Sequence, residues 1–579
     1  MVARDDADAD RAGPGAWPRP VPLIGDRTSA VERAADPAAW SLGPEVTAAL
    51  HQVIRSRRDV RRYRADPVPD EVLQSVLRAG HAAPSVGHSQ PWRFIVVSDD
   101  GIRQRAALMA DKERLAQAEQ LSPEAGRHLL DLQLEGIREA PLGVVVCCDR
   151  RTPAAGVLGR ATFIDADLWS CACAIENMWL TARAEGLGMG WVTLFQPEDL
   201  AALLGLPEGV VTLGWLCLGW PDERPPAPGL ERAGWSERLA LEEVVIPDRW
   251  PAPASAPAPP PSRVAAPPPA AVVAARDSGD ALLTPPGSLG VLDRAVDRVV
   301  ALGRAGDDSG TLAFAAGRHL VTALGVTAFD PEVTDVVLDA ARAGEAVGCR
   351  AAARAGLEVA VFDCGTSSGD LVHVDALTVG RRDELLAWGR DVGADMGRSG
   401  IVALGEVGVG NTTPAAALAA ALLDLDPAGL VGRGAGGDSA VMQRKREVVT
   451  AALSRLAGRS EPLYLLGALG GPEFAFLTGV ALGAAGAGAV VVLDGLATSV
   501  CALAAVRLEP FLASHLVAGQ RSREPGHGPV LAALGLEPLL DLRLSCGEGA
   551  GAALACGLLF DALAVRQTAA RTVGPAAGA

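Results

Sequence analysis

Apolar positions along the chain fall into two patterned blocks separated by a stretch with no period. In the first block, short apolar runs bounded by turn formers predict strands at 93–97, 143–148 and 210–219. Helical spacing fills the intervals. Pro69 and Asp70 open one helix, Val72, Leu73, Val76 and Leu77 form its apolar face, and Gly80 closes it. A second helix, about 165–185, is apolar on most sides, stops at Gly186 and is expected to be the central buried helix of its unit. In the second block, strand-like runs at 359–365, 401–405 and 490–495 alternate with Ala/Leu-rich helices, the pattern of a parallel α/β sheet.

The interval between the blocks, 251–275, reads PAPASAPAPPPSRVAAPPPAAVVAA. Proline fixes φ and removes an amide donor, so this stretch predicts an extended, semi-rigid linker with no core of its own. Two domains are expected, 44–250 with an α+β layout and 276–579 with a Rossmann-like parallel sheet. They follow an acidic tail, 1–43, that lacks the apolar segment of a secretory signal. Of 579 residues, 49% are hydrophobic and 66 are glycine, which suits tightly packed layers and two sizeable cores.

Charge narrows the class. A net charge of −17 argues against nucleic acid or an anionic membrane as partner, since those need basic footprints, and favours small molecules. The ten cysteines sit in apolar company without a CxxC pair or a His/Cys cluster at zinc spacing. Reduced thiols, no metal and a cytoplasmic location are expected. The longest apolar stretch, 480–506, is broken by Asp494 and crowded with glycine, so no membrane segment is expected.

Three clusters in the first block could carry chemistry. RSRRDVRRYR (55–64) gathers Arg57, Arg58 and Arg61 around Asp59; guanidinium forks suit a phosphate, although a solvated basic face has the same composition. APSVGHSQPW (83–92) is a turn in which Ser85 and Gln90 offer hydrogen bonds to a planar ring, or an ordinary connection. GLGMGWVT (186–193) has glycines that let backbone approach a flat ring or a phosphate.

In the second block, GEVGVGNTTP (405–414) leaves a strand, turns through glycines and opens a helix with Thr413 as N-cap and Pro414 in its first turn. The amides there make a phosphate cradle, or a structural turn. GRGAGGDSAVMQRK (432–445) repeats the idea with Arg433 and Lys445 as cations. LRLSCGEGAGAALA (542–555) places Glu548 at a helix start, as a dipole partner or a general base.

In order and spacing, the first set resembles the flavin-binding nitroreductase fold, and within it the 5,6-dimethylbenzimidazole synthase family. The motifs are RRDVR (57–61), APSVG and QPW (83–92), LEGIREAP (134–141), LGR (158–160), ENMWLTARAEGLGMGWVT (176–193) and LCLGWP (216–221). The resemblance implies that reduced FMN is a substrate, fragmented with dioxygen to dimethylbenzimidazole and a four-carbon sugar phosphate. It implies that Arg57, Arg58, Arg61 and Arg238 hold the FMN phosphate, that Ser85, Gly188 and Gly190 lie against the flavin, and that Asp59, kept ionised by its arginines, handles protons. Thr193 stands where the family has serine. His88, Ser89, Arg93 and Glu176 are further departures.

The second set resembles the nicotinate-nucleotide–dimethylbenzimidazole phosphoribosyltransferase family: PPGSLGVLDR (285–294), the 405–418 and 432–445 strings, GGPE (470–473), LDG (493–495), SREPGH (522–527) and the Glu548 string. The resemblance implies phosphoribosyl transfer from nicotinate mononucleotide to dimethylbenzimidazole, giving α-ribazole 5′-phosphate. Glu548 would be the base, and Glu406 would stabilise charge or contact ribose. Gly408, Gly410, Asn411, Thr412 and Lys445 would hold the phosphate. Departures are Arg318 and Leu320 in place of acid and glycine, a shortened segment around 378–396, the added Ser545 and Cys546, and Ala550 for threonine; they are expected mainly on the base-binding side.

Three readings compete: a bifunctional enzyme for the cobalamin lower ligand, an NAD(P)H-dependent nitroreductase fused to a diverged transferase, and an active synthase with a non-catalytic azole-binding module. A separate flavin reductase and a homodimer are the implied partners.

Overall fold

Strands β1 (Trp92–Val97), β2 (Leu142–Asp149), β3 (Gly188–Val192) and β4 (Val210–Gly219) form an antiparallel sheet in the order β1-β2-β4-β3. The computed structural model describes residues 35–36, 41–132, 136–250, 262–434, 436 and 438–571. Its residues group into two compact units, a first within 38–256 and a second within 257–579 that also takes in residues 35–36. In the first unit β2 is buried on both faces because alternate residues feed two layers. Val144, Val146 and Cys148 pack with Leu73, Val76 and Met178 from the helices Asp70–His81 and Ala166–Ala184. Val145 and Cys147 face Ala106, Ala110 and Trp215 on the other side.

Three expected features change here. The helix at 166–184 is not buried all round: Cys171, Ala174, Ile175 and Met178 face the sheet, whereas Trp169 is 54% exposed and Cys173 is also exposed. The expected glycine loop at 186–193 is largely strand β3, since Gly188–Val192 pair with Val192 opposite Trp215 and Gly188 opposite Gly219 on β4. The linker is shorter than 251–275. Residues 251–261 lie outside the described residues, but Ser262 and Arg263 hydrogen-bond Glu509, Val264 is buried, the Ala265 carbonyl meets His515 at 2.9 Å, and a helix runs over Pro269–Asp280. Apolar residues dispersed among the prolines anchor that end of the stretch.

In the second unit β5 (Gly310–Arg318), β6 (Leu357–Thr366), β7 (Ile401–Val407), β8 (Val490–Leu493) and β9 (Leu516–Ala518) run parallel in the order β6-β5-β7-β8-β9. Helices Thr412–Leu423, Pro472–Gly486 and Leu496–Leu508 cover one face, and Val291–Ala301 with Ala550–Thr568 cover the other. The apolar stretch 480–506 is the end of one such helix, β8 and most of another, mostly buried, with Gly486 exposed where the first helix ends. Among the described residues one helix, Ala550–Thr568, is long and apolar enough to cross a membrane, and more than half of it is buried inside this unit. The region around 378–396 forms a helix, Val379–Met396. Its Gly389 and Gly393 lie directly on the Phe476 and Val480 backbone, and Gly479 and Gly483 lie on Leu386 and Arg390. Bare Cα atoms let the two helix backbones approach, which no larger residue would allow.

Candidate active sites

Asp59 follows the helix Pro44–Ser56, and the extended segment behind it lies along β3, with the Val60 amide donating to the Met189 carbonyl at 3.1 Å. The carboxylate of Asp59 pairs with Arg61 and accepts the Trp191 amide. Burial lifts its pKa, against the pull of Arg61, the Trp191 amide and Arg57. The shift runs opposite to the one that the arginines alone would produce, because desolvation outweighs them. Its side chain remains 42% exposed, so solvent screening tempers that rise.

The arginines divide in role. Arg57 stacks over Trp179 at 4.5 Å. Arg58 spends its terminal nitrogens on the carbonyls of Arg55, Arg57 and Pro226 at 2.7, 2.7 and 3.0 Å, so it braces the segment. Arg238 is 78% exposed and pairs with Glu231 at 3.8 Å. Gly188 and Gly190 are filled from behind: a Cβ on Gly188 would meet Val60 at 2.9 Å, and one on Gly190 would meet Arg61 and the Val60 carbonyl. Their smallness admits the arginine segment. Ser85 accepts the Gln90 amide at 3.1 Å in a turn that bends at Gly87, His88 and Gln90, all with positive φ. Thr193 is exposed just beyond β3. Asp59, Arg57, Arg61 and Gly190 are therefore brought together, while Ser85, Thr193 and Arg238 lie on separate segments.

In the second unit a cleft with about 270 Å³ of free space opens at the carboxyl ends of β7, β8 and β9, where parallel sheets place their ligands. Glu406, near the end of β7, takes a short hydrogen bond from the Asn411 amide. Burial and then Glu473 push its pKa up to about 8, with smaller pushes from Asp494 and Glu548. Glu548 arrives from the other rim. Its Oε2 accepts the Gly348 amide at 3.1 Å, and its own amide donates to the Glu406 carbonyl at 2.9 Å.

Between these acids lies the glycine loop. Asn411, not Thr413, is the N-cap of Thr412–Leu423, and its side chain is spent on Glu406; Thr413 is buried within the first turn of the helix. Lys445 is buried, and its Nζ donates to Thr412 Oγ1 at 2.7 Å and to the Gly432 carbonyl at 3.1 Å. Burial lowers its pKa, opposed by Glu524. Gly408, Gly410, Asn411, Thr412, Lys445, Glu406 and Glu548 all line this one cleft, opposite an apolar wall of Val326, Phe329, Val333 and Val337.

The sequence reading gave no role to Asp494, Gln520 or the His319–Glu473 pair. Asp494 follows β8 and lines the cleft; an acid directly after a strand is the one signal that could have found it. His319 meets Glu473 at 2.6 Å, both buried, behind the Gly408 loop. Arg318 joins Asp335 at 2.8 Å and Asp363 at 2.7 Å and does not itself line the cleft. Cys546 does line the cleft, its thiol pushed up to about 12 by burial and then by Glu548.

An antiparallel sheet with a basic segment laid on its edge strand, joined to a parallel sheet with an amide cradle, defines a flavoenzyme-type unit fused to a phosphoryl-sugar transferase. Family models agree: the nitroreductase family matches residues 54–220 and a phosphoribosyltransferase family matches residues 264–573. The chain is 43% identical over 197 residues to 5,6-dimethylbenzimidazole synthase of Rhodospirillum rubrum, covering 34% of this chain and 92% of that protein. It is 39% identical over 318 residues to nicotinate-nucleotide–dimethylbenzimidazole phosphoribosyltransferase of Thermus thermophilus, covering 51% of this chain and 95% of that protein. The crystal structure of CobT from Thermus thermophilus superposes with a TM-score of 0.51 at 37% identity, over 54% of this chain and 100% of that one. The chain belongs to both families, as an N-terminal 5,6-dimethylbenzimidazole synthase relative fused to a C-terminal nicotinate-nucleotide–dimethylbenzimidazole phosphoribosyltransferase relative.

Proposed function

We propose that the chain carries two consecutive steps of cobalamin lower-ligand synthesis: oxygen-dependent fragmentation of reduced FMN to dimethylbenzimidazole, then phosphoribosyl transfer to that azole from nicotinate mononucleotide. The observation that carries the reading is the second cleft, where an amide loop, a buried lysine and two carboxyls face an apolar wall.

The amides of Gly408, Gly410 and Thr412 and the Lys445 ammonium take the nucleotide phosphate, while those of Val409 and Asn411 hold the loop by donating to Thr334 Oγ1 at 3.0 Å and to the Gly408 carbonyl at 3.1 Å. The azole packs on Val326, Phe329 and Val333. Glu548 removes the azole N–H proton while the other ring nitrogen attacks the anomeric carbon; the bond to the nicotinate nitrogen breaks, and nicotinate leaves with that electron pair. Glu406, with a pKa of about 8, is mostly neutral at pH 7 and donates a hydrogen bond. That fits ribose contact better than charge stabilisation. The ion pairs of Arg318 absorb that departure structurally, which favours a competent transferase over a non-catalytic module.

In the first unit Arg57 and Arg61 would hold the FMN phosphate, with Asp59 as the proton-handling group. Bound reduced flavin supplies the electrons for dioxygen, and a separate reductase replaces it. The helix Pro44–Ser56 buries none of its residues, and Val46, Leu50 and Ile54 form one exposed apolar stripe, which supports a homodimer through this unit. The test supplies the purified chain with FMN, a flavin reductant, oxygen and nicotinate mononucleotide, with mass spectrometry of the products. The reading requires both the azole and its riboside phosphate. Azole alone removes the second step, and recycled flavin without azole makes the first unit an ordinary nitroreductase.

A further inference from the structure

Asp494 is 2% exposed and lines the transferase cleft, yet the chemistry above gives it no step. Its Oδ2 accepts the Gly549 amide at 3.3 Å, and its Oδ1 accepts the Ala552 amide at 3.1 Å and the Gln520 side-chain amide at 3.2 Å. Every donor is an N–H. Burial pushes its pKa up to about 6 despite them, so at mildly alkaline pH it is the anion these donors suit. The backbone amides open the helix Ala550–Thr568, where an anion is favoured by the helix dipole.

The residue between the two pinned strand ends is Glu548. Its amide is tied to the end of β7 through the Glu406 carbonyl, and the next amide, of Gly549, is tied to Asp494 beyond β8. The turn requires such anchoring. Glu548 has φ 61°, between Gly547 at 72° and Gly549 at 75°, and a left-handed run that includes a residue with a Cβ persists only where its surroundings over-determine it.

We propose that Asp494 is a positioning residue for phosphoribosyl transfer, holding the Gly547–Gly549 turn so that the Glu548 carboxyl faces the azole. The inference rests on the reading of Glu548 as the base. It follows that Asp494 acts on turnover and leaves nucleotide binding alone, because the phosphate cradle hangs on β7 and Lys445.

Steady-state transfer from nicotinate mononucleotide to dimethylbenzimidazole by the full chain tests this. Asp494→Asn keeps the volume but presents an NH2 group to one backbone N–H. A loss of roughly tenfold in kcat is expected, with KM for the nucleotide within about twofold of the parent. Combined with Glu548→Gln, it should cost no more than Glu548→Gln alone. Gln520→Leu, which removes one donor and leaves the carboxylate, should lower kcat about threefold with the same KM pattern, and it carries the test if Asp494→Asn does not fold. Unchanged kcat, a raised KM with kcat intact, or additive losses in the double variant overturn the inference. An impaired Glu548→Gln beside an intact Asp494→Asn sinks this inference only, whereas an intact Glu548→Gln sinks the base reading and this inference with it.

Discussion

Glu406 and Asp494 hold their protons more tightly in the folded chain than in the unfolded one, because burial strips water from their charged forms. Their pKa values stand at about 8 and about 6, against ordinary values of 4.5 and 3.8. Where the folded state binds protons that the unfolded chain has released, stability falls as pH rises. Asp494 acts below about 6, and Glu406 acts up to about 8 and then levels off. His527 opposes them only at low pH, since burial pushes it down to about 4 and the unfolded chain binds that proton first, below 6.5. The melting midpoint of the C-terminal unit should therefore drop by a few degrees between pH 6.5 and 8, and Glu406→Gln should flatten that slope in differential scanning calorimetry. The same variant imitates the neutral acid. If Glu406 works as a donor, Glu406→Gln keeps kcat within about tenfold of the parent while Glu406→Ala loses roughly a hundredfold, each read as riboside phosphate formed per second.

At the scale of elements, what the sequence made legible follows packing chemistry. Val144–Val146 and Val490–Val492 are β-branched runs and are strands. Gly188–Val192 and Gly310–Arg318 are strands too, but glycine and alanine carry no strand preference, so only the sheet around them decides their state. That Gly408, Gly410, Asn411 and Thr412 would sit at the mouth of a cleft was legible because a strand-to-helix turn at the end of a parallel strand fixes where its loop lies. Asp494 was not, since its partners Gln520, Gly549 and Ala552 lie far along the chain, and the forks of Arg58 are taken up by the Arg55, Arg57 and Pro226 carbonyls, a competition that its sequence context does not display. Glycines that look like ligand loops and glycines that admit a neighbour are identical in sequence, and substitution separates them. Gly190→Ala should displace Arg61 and Val60, which a Cβ there would strike, weakening FMN binding roughly tenfold by fluorescence titration while transfer by the other unit is unchanged. Gly483→Ala puts a Cβ on the Arg390 carbonyl and 2.7 Å from the Ala394 amide. Overpacking of this kind costs about 1–3 kcal/mol, so the C-terminal unit should unfold at lower urea while azole production persists.

For the whole molecule, the question is what a shared chain contributes to two sites built within separate units. Each unit has its own core and its own cluster of chemistry, and under the proposed function the compound passed between them is a small azole able to cross free solution. Fusion guarantees equal amounts of maker and user and raises the local azole concentration, without requiring that the azole stay bound. Two variants test this directly. Asp59→Asn should stop azole formation, and added dimethylbenzimidazole should restore riboside phosphate from the same protein. Glu548→Gln should make azole that accumulates. Mixed together with FMN, reductant, oxygen and nicotinate mononucleotide, the two variants should recover product after a lag that shortens as protein concentration rises, because the azole must accumulate in solution before the second site fills. Isotope-labelled FMN with a pool of unlabelled azole gives the matching readout, with label in the product diluted in proportion to the pool. Product from the intact chain that keeps its full label, together with no recovery from the mixture, would mean that the azole passes directly from one site to the other.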